Sequence, residues 1–440
     1  MISADRSRRR VLITGVGVVS PIGSTKERVW TALASGQSGI APLVGLPADY
    51  LPTSFAGEVR DFTGAIDDFG PLEGEQKKAV RKGVKLMSRE CQMGVAAALR
   101  ACFDAGLRPG GFDPDRAGTV FGADYMLSAP QEFSAGIDLC AGTERRFNFD
   151  RWGDEGMGKM NPLWLLKYLP NMPACHVAIY MDLRGPSNTI TQREAAANLA
   201  VDEAFHTIVR GAADLMVAGA TGTRVHLMKS LHALQQEEIA GNGAHPAEAS
   251  RPFDFHRTGM VLGEGAGAII LEEYGHAIAR GAPIYGEVLA GGSSVAVSPN
   301  LVARRDLAIQ NAIRRTFVAA ALNAPRLGHI HAHGLGTRSC DPQEAQAIRR
   351  VLGDLASRTP VTAAKSYFGN LGAGGGMVEL IVSLLSLGQG QLPRILNYQT
   401  PDPDCPIRAA TGSDSAGDSF LNISVTPQGQ ASCVLVSAAR

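Results

Sequence analysis

Four reactive side chains stand at the predicted ends of strands in this chain. Glu194 follows the β-branched run NTIT and opens a helical pattern over 194–209. His333 closes a strand over 328–333 within HIHAHGLGT, and Lys365 ends the strand PVTAAK with Asn370 beyond it in AAKSYFGNLGAGGG. A sharp strand-to-helix turn at 191–195 would present residue 194 at a helix N-terminus, where free N–H groups and the macrodipole favour an anion or an activated nucleophile. Strand ends converging on one pocket are how an α/β enzyme assembles a site. Singly, each signal is weak. A histidine at a strand end is satisfied structurally more often than it is catalytic, and a buried ion pair kept for geometry would account for Lys365 and Glu379.

The elements that would position these groups alternate. A buried strand over 11–17 precedes an amphipathic helix over 25–35, and a basic helical run, KKAVRKGVKLMSR, leads into a buried alanine-rich helix over 87–105. A strand starts at Ala117, and an irregular insertion about 120–175 holds two of the three tryptophans, suiting a cap or a subunit contact. After the 194–209 helix come a strand at 213–220, a strand-then-helix stretch up to 275, a strand at 284–292, helices at 306–322 and 342–352, and strands between them. This order predicts an α/β fold with a parallel or mixed sheet covered by helices. The similarity of the stretches 1–275 and 284–440 predicts an internal duplication. The glycine-rich GNLGAGGGM brings backbone close to something. GVGVVSPIG lacks the third glycine of a dinucleotide loop and is set aside.

Composition narrows the classes. The 440 residues are 45% apolar and 19% charged, with 42 basic and 42 acidic side chains, so nothing global argues for nucleic acid or an anionic membrane. Seven cysteines without a CxxC pair or metal-type spacing read as reduced thiols in a cytoplasm, and no metal site is expected. The basic start and apolar run of RSRRRVLITGVGVVSPIG imitate an export signal, but the run is short and closes on Ser20 and Pro21, which suits a first strand and turn better. No stretch has the ~18 uninterrupted apolar residues of a membrane span.

Together the motifs VLITGVGVVSPIG, GPSNTIT, RGAADLMVAGA, RPFDFHRTGMVLGEGAGAIILEE, HAHGLGTRSCDPQEAQAI and KSYFGNLGAGGGMVE resemble the β-ketoacyl-acyl carrier protein synthases of the thiolase superfamily over essentially the whole chain. The resemblance implies a thiolase-like fold, two duplicated halves forming a five-layered αβαβα core, and a dimer. It implies chemistry in which a cysteine carries an acyl chain and two histidines drive decarboxylation of a malonyl unit. No cofactor is implied beyond the phosphopantetheine arm of an acyl carrier protein.

Against that family pattern, Glu194 stands at the cysteine position and Asn370 at the second histidine, while His333, Lys365 and Glu379 are kept. Of two threonines that contact the pantetheine arm, one is Leu335 and the other is Thr337. The gating loop reads VTPQGQ, with Thr426 at the gating phenylalanine, its N–H still a potential donor, and Pro427 stiffening the loop. None of the other cysteines falls in the site by alignment; Cys340, in a loop seven residues after His333, is the one to check. Lys77, Lys78, Arg81, Lys82 and Lys85 fall where related enzymes meet acidic carrier protein; a solvated helix face is the plainer reading.

An acid cannot stand in for sulfur here, because attack on a thioester would give a mixed anhydride. The helix N-terminus and His333 are expected to keep Glu194 ionised as a Glu194–His333 ion pair. Loss of nucleophile, histidine, threonine and gating loop together suits a non-elongating partner of an active synthase, like the chain-length-factor subunits of polyketide systems. The alternatives are a malonyl decarboxylase or other acyl-thioester enzyme using Glu194 and His333, and a noncatalytic acyl-binding scaffold. The expected partners are acyl carrier protein and, in a homodimer or heterodimer, a cysteine-containing ketosynthase.

Overall fold

The first strand, β1 (Val11–Val19), has every side chain buried, as expected of a strand covered on both faces. The computed structural model describes residues 9–47, 51–143, 145–241, 243, 245–321 and 327–439. The start of the basic stretch, up to Arg8, lies outside the described residues. Arg9 and Arg10 pair with Asp214 and Glu287, tying the beginning of β1 to neighbouring strands.

Beside β1 lie β2 (Ala117–Ala123), β3 (Ser187–Thr191), β4 (Leu215–Thr223) and β5 (Glu264–Glu273), in the spatial order β3-β2-β4-β5-β1. Then β6 (Gly286–Val295), β7 (His329–His331), β8 (Pro360–Thr362), β9 (Ser419–Val425) and β10 (Gln430–Ser437) follow in the order β8-β7-β9-β10-β6. The two orders are the same. So are the orientations: in each set the first two pairings are parallel and the last two antiparallel. The sets join through antiparallel pairing of Val11 with Val288, Leu12 with Glu287 and Ile13 with Gly286.

The helices that carry the argument are α1 (Lys26–Ser35), α2 (Gly74–Gly83), α3 (Arg89–Asp104), α4 (Ala196–Val209), α5 (Leu227–Gln236), α6 (Arg305–Ala319), α7 (Asp341–Leu352) and α8 (Gly375–Gln389). Thr25 caps α1 by accepting the Arg28 N–H. Three apolar clusters define the layers. One joins α3 to the outer face of the first strand set, one joins α6 and α7 to the outer face of the second, and the third holds α4 and α8 between the two sets. That is an αβαβα stack. Small residues permit its tight spacing: a Cβ on Gly17 would lie 2.0 Å from the Ala97 carbonyl of α3.

The basic run is not one helix. α2 ends at Gly83, a 3-10 turn spans Val84–Leu86, and α3 starts afresh with Ser88 accepting the Cys91 N–H at 3.2 Å. Gly83 packs so closely under the Tyr180 hydroxyl that a Cβ there would require Tyr180 to shift. The helix expected over 306–322 ends at Ala319, and residue 322 lies outside the described residues. The insertion folds as short helices, including Gln131–Ala141 and Met172–Met181, with Trp164 edge-on to Phe133 at 5.5 Å. No helix among the described residues is long and apolar enough to cross a membrane.

Along β7 the alternating His329 and His331 are fully buried and joined through one hydroxyl. The Ala364 N–H donates to His331 Nε2, so His331 Nδ1 carries the proton and donates to Ser383 Oγ at 2.8 Å. Ser383 in turn lies 3.0 Å from His329 Nε2, whose Nδ1–H meets the Ala416 carbonyl. Burial pushes the His329 imidazole down to about 4. Below its ordinary range the unfolded chain therefore binds a proton that the folded chain does not, and stability falls with falling pH. The advantage of the parent over His329→Gln should shrink by on the order of 2 kcal/mol between pH 7 and pH 5, read from urea unfolding midpoints. An unchanged gap would refute the neutral hydrogen-bonded chain.

Candidate active site

Strand β3 runs into a 3-10 turn, Arg193–Ala195, that starts α4. Arg193 adopts φ +51°, a left-handed conformation that non-glycine residues avoid, and this sharp corner turns Glu194 inward. Glu194 is 3% exposed. The strand ends expected to converge do so. His333 after β7, Asn370 after β8 and Glu194 after β3 line one chamber, with Arg193, Ala233, Glu237, Met260, Leu335, Val425 and Pro427. Its cavity is about 10 Å³, room for at most a single water.

A fourth strand end supplies a residue that the sequence reading missed. Arg224, directly after β4, is completely buried. Its Nη2 donates to Glu194 Oε1 at 2.5 Å and its Nη1 pairs with the buried Asp124, just beyond β2. The guanidinium rests on the backbone of Gly372 (φ +61°), where an added Cβ would lie 3.3 Å from it. This is what the glycine-rich segment approaches. Burial pushes the Glu194 carboxyl up, but the charges of Arg224 and Arg193 and the hydrogen bond from Arg224 outweigh it and hold Glu194 well below the usual carboxylate range. Glu194 is ionised.

The expected ion pair between Glu194 and His333 is not formed. Lys365 Nζ lies 3.2 Å from His333 Nδ1 and donates to the His333 carbonyl at 2.8 Å. An ammonium can only donate, so Nδ1 is the acceptor and the ring proton sits on Nε2. Burial, then the Lys365 charge, pushes the imidazole well below its ordinary value, leaving it neutral. Lys365 makes its ion pair with the buried Glu379, as the sequence reading allows. Glu344, also missed, fixes the loop after β7 by accepting the N–H groups of His333 and Gly334 at 2.7 and 2.8 Å. It was visible in the motif but carried no signal of its role.

Asn370 is immobilised. Its Nδ2 donates to Glu194 Oε1 at 3.3 Å and its Oδ1 accepts the Gly372 N–H at 3.0 Å. Leu335 lines the chamber, whereas the Thr337 hydroxyl accepts the Cys340 N–H at 3.0 Å at the start of α7. Cys340 is buried, and burial raises its thiol well above the ordinary value, so it is no nucleophile.

The expectation that Thr426 keeps a free N–H donor is corrected. VTPQGQ forms the hairpin between β9 and β10, in which the Thr426 N–H to the Gln430 carbonyl at 2.8 Å closes a loop of Pro427, Gln428 and Gly429, the last at φ +82°. Of the basic residues, Lys78, Arg81, Lys82 and Lys85 are exposed, and Lys77 is half-buried with Asp67 at 3.5 Å. Among the described residues no group of three or more His, Cys, Asp and Glu side chains is arranged for a metal ion.

A duplicated five-strand order, two buried central helices and a chamber at the strand ends define the thiolase-like ketosynthase architecture. The description of the beta-ketoacyl synthase N-terminal domain matches residues 8–277, and that of its C-terminal domain residues 285–399. The chain belongs to the beta-ketoacyl synthase family of fatty acid and polyketide synthesis. It is 30% identical over 417 residues to 3-oxoacyl-[acyl-carrier-protein] synthase 2 of Synechocystis, covering 94% of each chain. It is 31% identical to a putative polyketide beta-ketoacyl synthase 1 of Streptomyces halstedii, covering 91% of this chain and 90% of that one. Among solved structures, the ishigamide ketosynthase/chain length factor superposes with a TM-score of 0.81 at 26% identity over 99% of this chain and all of that one. AntDE:AntF, a type II PKS acyl-carrier protein in complex with its ketosynthase, does so with a TM-score of 0.80 at 25% identity over 99% of this chain and 100% of that chain.

Proposed function

We infer that this chain is a non-elongating, ketosynthase-like subunit that works in the cytoplasm beside a cysteine-containing β-ketoacyl synthase. Glu194 stands at the position of the family's nucleophile, and a carboxylate there cannot hold a growing acyl chain. The observation that carries the reading is the Asp124–Arg224–Glu194 ion triad, whose Glu194 end lines the chamber. It consumes the acid's charge, with the Asn370 amide committed to the same carboxylate and the Thr426 N–H spent in the hairpin.

Two surfaces support partners. Exposed Lys78, Arg81, Lys82 and Lys85 recur on one side of α2 and the turn after it, a stripe suited to an acidic acyl carrier protein. Strand β3 ends the sheet with an open edge, and Ile179 on the Met172–Met181 helix packed against it is 70% exposed, as are Phe149 (75%) and Met157 (58%) in the insertion. These suit pairing with a second ketosynthase-like chain. The resemblance to the ishigamide ketosynthase/chain length factor agrees with such pairing. The alternative of a decarboxylase is disfavoured because it needs a protonated Glu194, which Arg224 prevents.

The pure protein, given acyl- and malonyl-loaded carrier protein, should yield no extended product by mass spectrometry. Coexpressed with a cysteine-containing homologue it should copurify and support extension only in that complex. Extension by the chain alone defeats the reading, and release of CO2 from malonyl carrier protein that depends on His333 would replace it with the decarboxylase.

A further inference from the structure

The residues around the chamber become more exposed in one direction. Side-chain exposure is 4% for Glu194 and 15% for Arg193, and 4% for Glu237 and 9% for Arg305. Beyond them Gln236 is exposed. The way out therefore passes the end of α5, where Gln236 and Glu237 meet two arginines. Arg193, on the turn beside Glu194, hydrogen-bonds Gln236 Oε1, and Arg305, the first residue of α6, pairs with Glu237.

Local physics disfavours this arrangement. A cation in the first turn of α6 opposes the helix dipole, and the second carboxylate shares a small chamber with Glu194. Burial, opposed by Arg305 and reinforced by the Glu194 charge, lifts the Glu237 carboxyl to about 7. The backbone beyond it is fixed: Glu238 accepts the Met260 N–H through its carbonyl at 2.8 Å and the Arg338 N–H through its carboxylate at 2.6 Å. Only side chains are left to move.

We propose that Arg193, Glu237 and Arg305 form a side-chain gate, clamped across the end of α5, that closes the Glu194 chamber to the arm of a carrier-borne thioester. The gate deepens the non-elongating reading and rests on it, since it bars substrate from a chamber that lacks a nucleophile. Arg305 comes from the second strand set and Glu237 from the first, so the gate also bridges the two repeats.

Ala233→Cys places a reporter thiol on the chamber wall while leaving Glu194 and Arg224 in place. Iodoacetamide labelling, read peptide by peptide, compares it with the buried native thiols Cys91 and Cys433 and the half-exposed Cys175. With the gate intact the reporter should label no faster than Cys433. Adding Glu237→Ala or Arg305→Ala should speed the reporter by about tenfold or more while Cys91 and Cys433 stay slow, the mark of local opening. Glu237→Gln, which keeps the bulk and drops the ion pair, should fall between. A reporter as fast as Cys175 with the gate intact, or equal rates with and without it, overturns the proposal. So does a joint rise at every buried cysteine, which means general loosening. No turnover is read, so this result and the condensation result can fail separately.

Discussion

Arg224→Ala should destabilise the protein by about 3–5 kcal/mol, the cost of leaving buried charge without its partner. One guanidinium serves both Glu194 and Asp124, and each is shielded from water. Among the described residues Asp124 then keeps the Tyr125 N–H at 2.8 Å, and Glu194 keeps the 3.3 Å bond from Asn370, a backbone N–H and the more distant Arg193. The loss should grow with pH. Without Arg224 the folded-state pKa of Glu194 rises, the folded chain binds the proton more tightly than the unfolded chain, and stability drops as the acid ionises. The double variant Glu194→Ala with Arg224→Ala should lose less than Arg224→Ala alone, because one stranded carboxylate has gone. Urea unfolding of the parent and the two variants at two pH values measures all of this. An Arg224→Ala protein within about 0.5 kcal/mol of its parent would show that the triad is not what holds the site.

The second large effect is a failure. Glu194→Cys should not restore condensation, and its extension rate should stay at least about a hundredfold below that of a cysteine-containing relative. The thiol would be well placed to ionise, beside Arg224 and at the start of α4, so a lowered thiol pKa by alkylation against pH is expected. Ionisation is not enough. The Thr426 N–H is committed to Gln430 and is not free for a developing oxyanion, and the cavity of about 10 Å³ has no room for an acyl chain. Chain extension near the rate of a relative would mean that the hairpin and the chamber rearrange, and that the carboxylate alone silences the site.

Legibility divided along physical lines. Strands such as β1, β4 and β5 are continuous apolar or glycine-rich runs whose pattern survives without context, and the repeat of strand and helix announced the duplication. Glu194, His333, Asn370 and Lys365 were readable because each follows an expected strand and lies in a motif that resembles the ketosynthase pattern. Arg224 ends a strand too and was passed over, since its partner Asp124 is 100 residues away and no local pattern joins them. Separation along the chain also misled the pairing of His333, whose charge state is set by burial and by Lys365, reached through the fold. The 425–430 loop was read by analogy as a gate. Proline followed two residues later by glycine in fact specifies a tight hairpin, and that local signal was the better guide.

The recurrence of one strand order has a last consequence. It gives the molecule an approximate twofold rotation axis, and the turn that carries Glu194 has a twin: the 3-10 turn Gly372–Gly374, which starts α8 as Arg193–Ala195 starts α4. One copy became the seat of the acid. Its counterpart, stripped to glycine and alanine, became the bed on which the countercharge lies. A duplicated gene can divide labour in this way, and here the division runs through a single ion pair, so that any side chain added at Gly372 would be felt at Glu194.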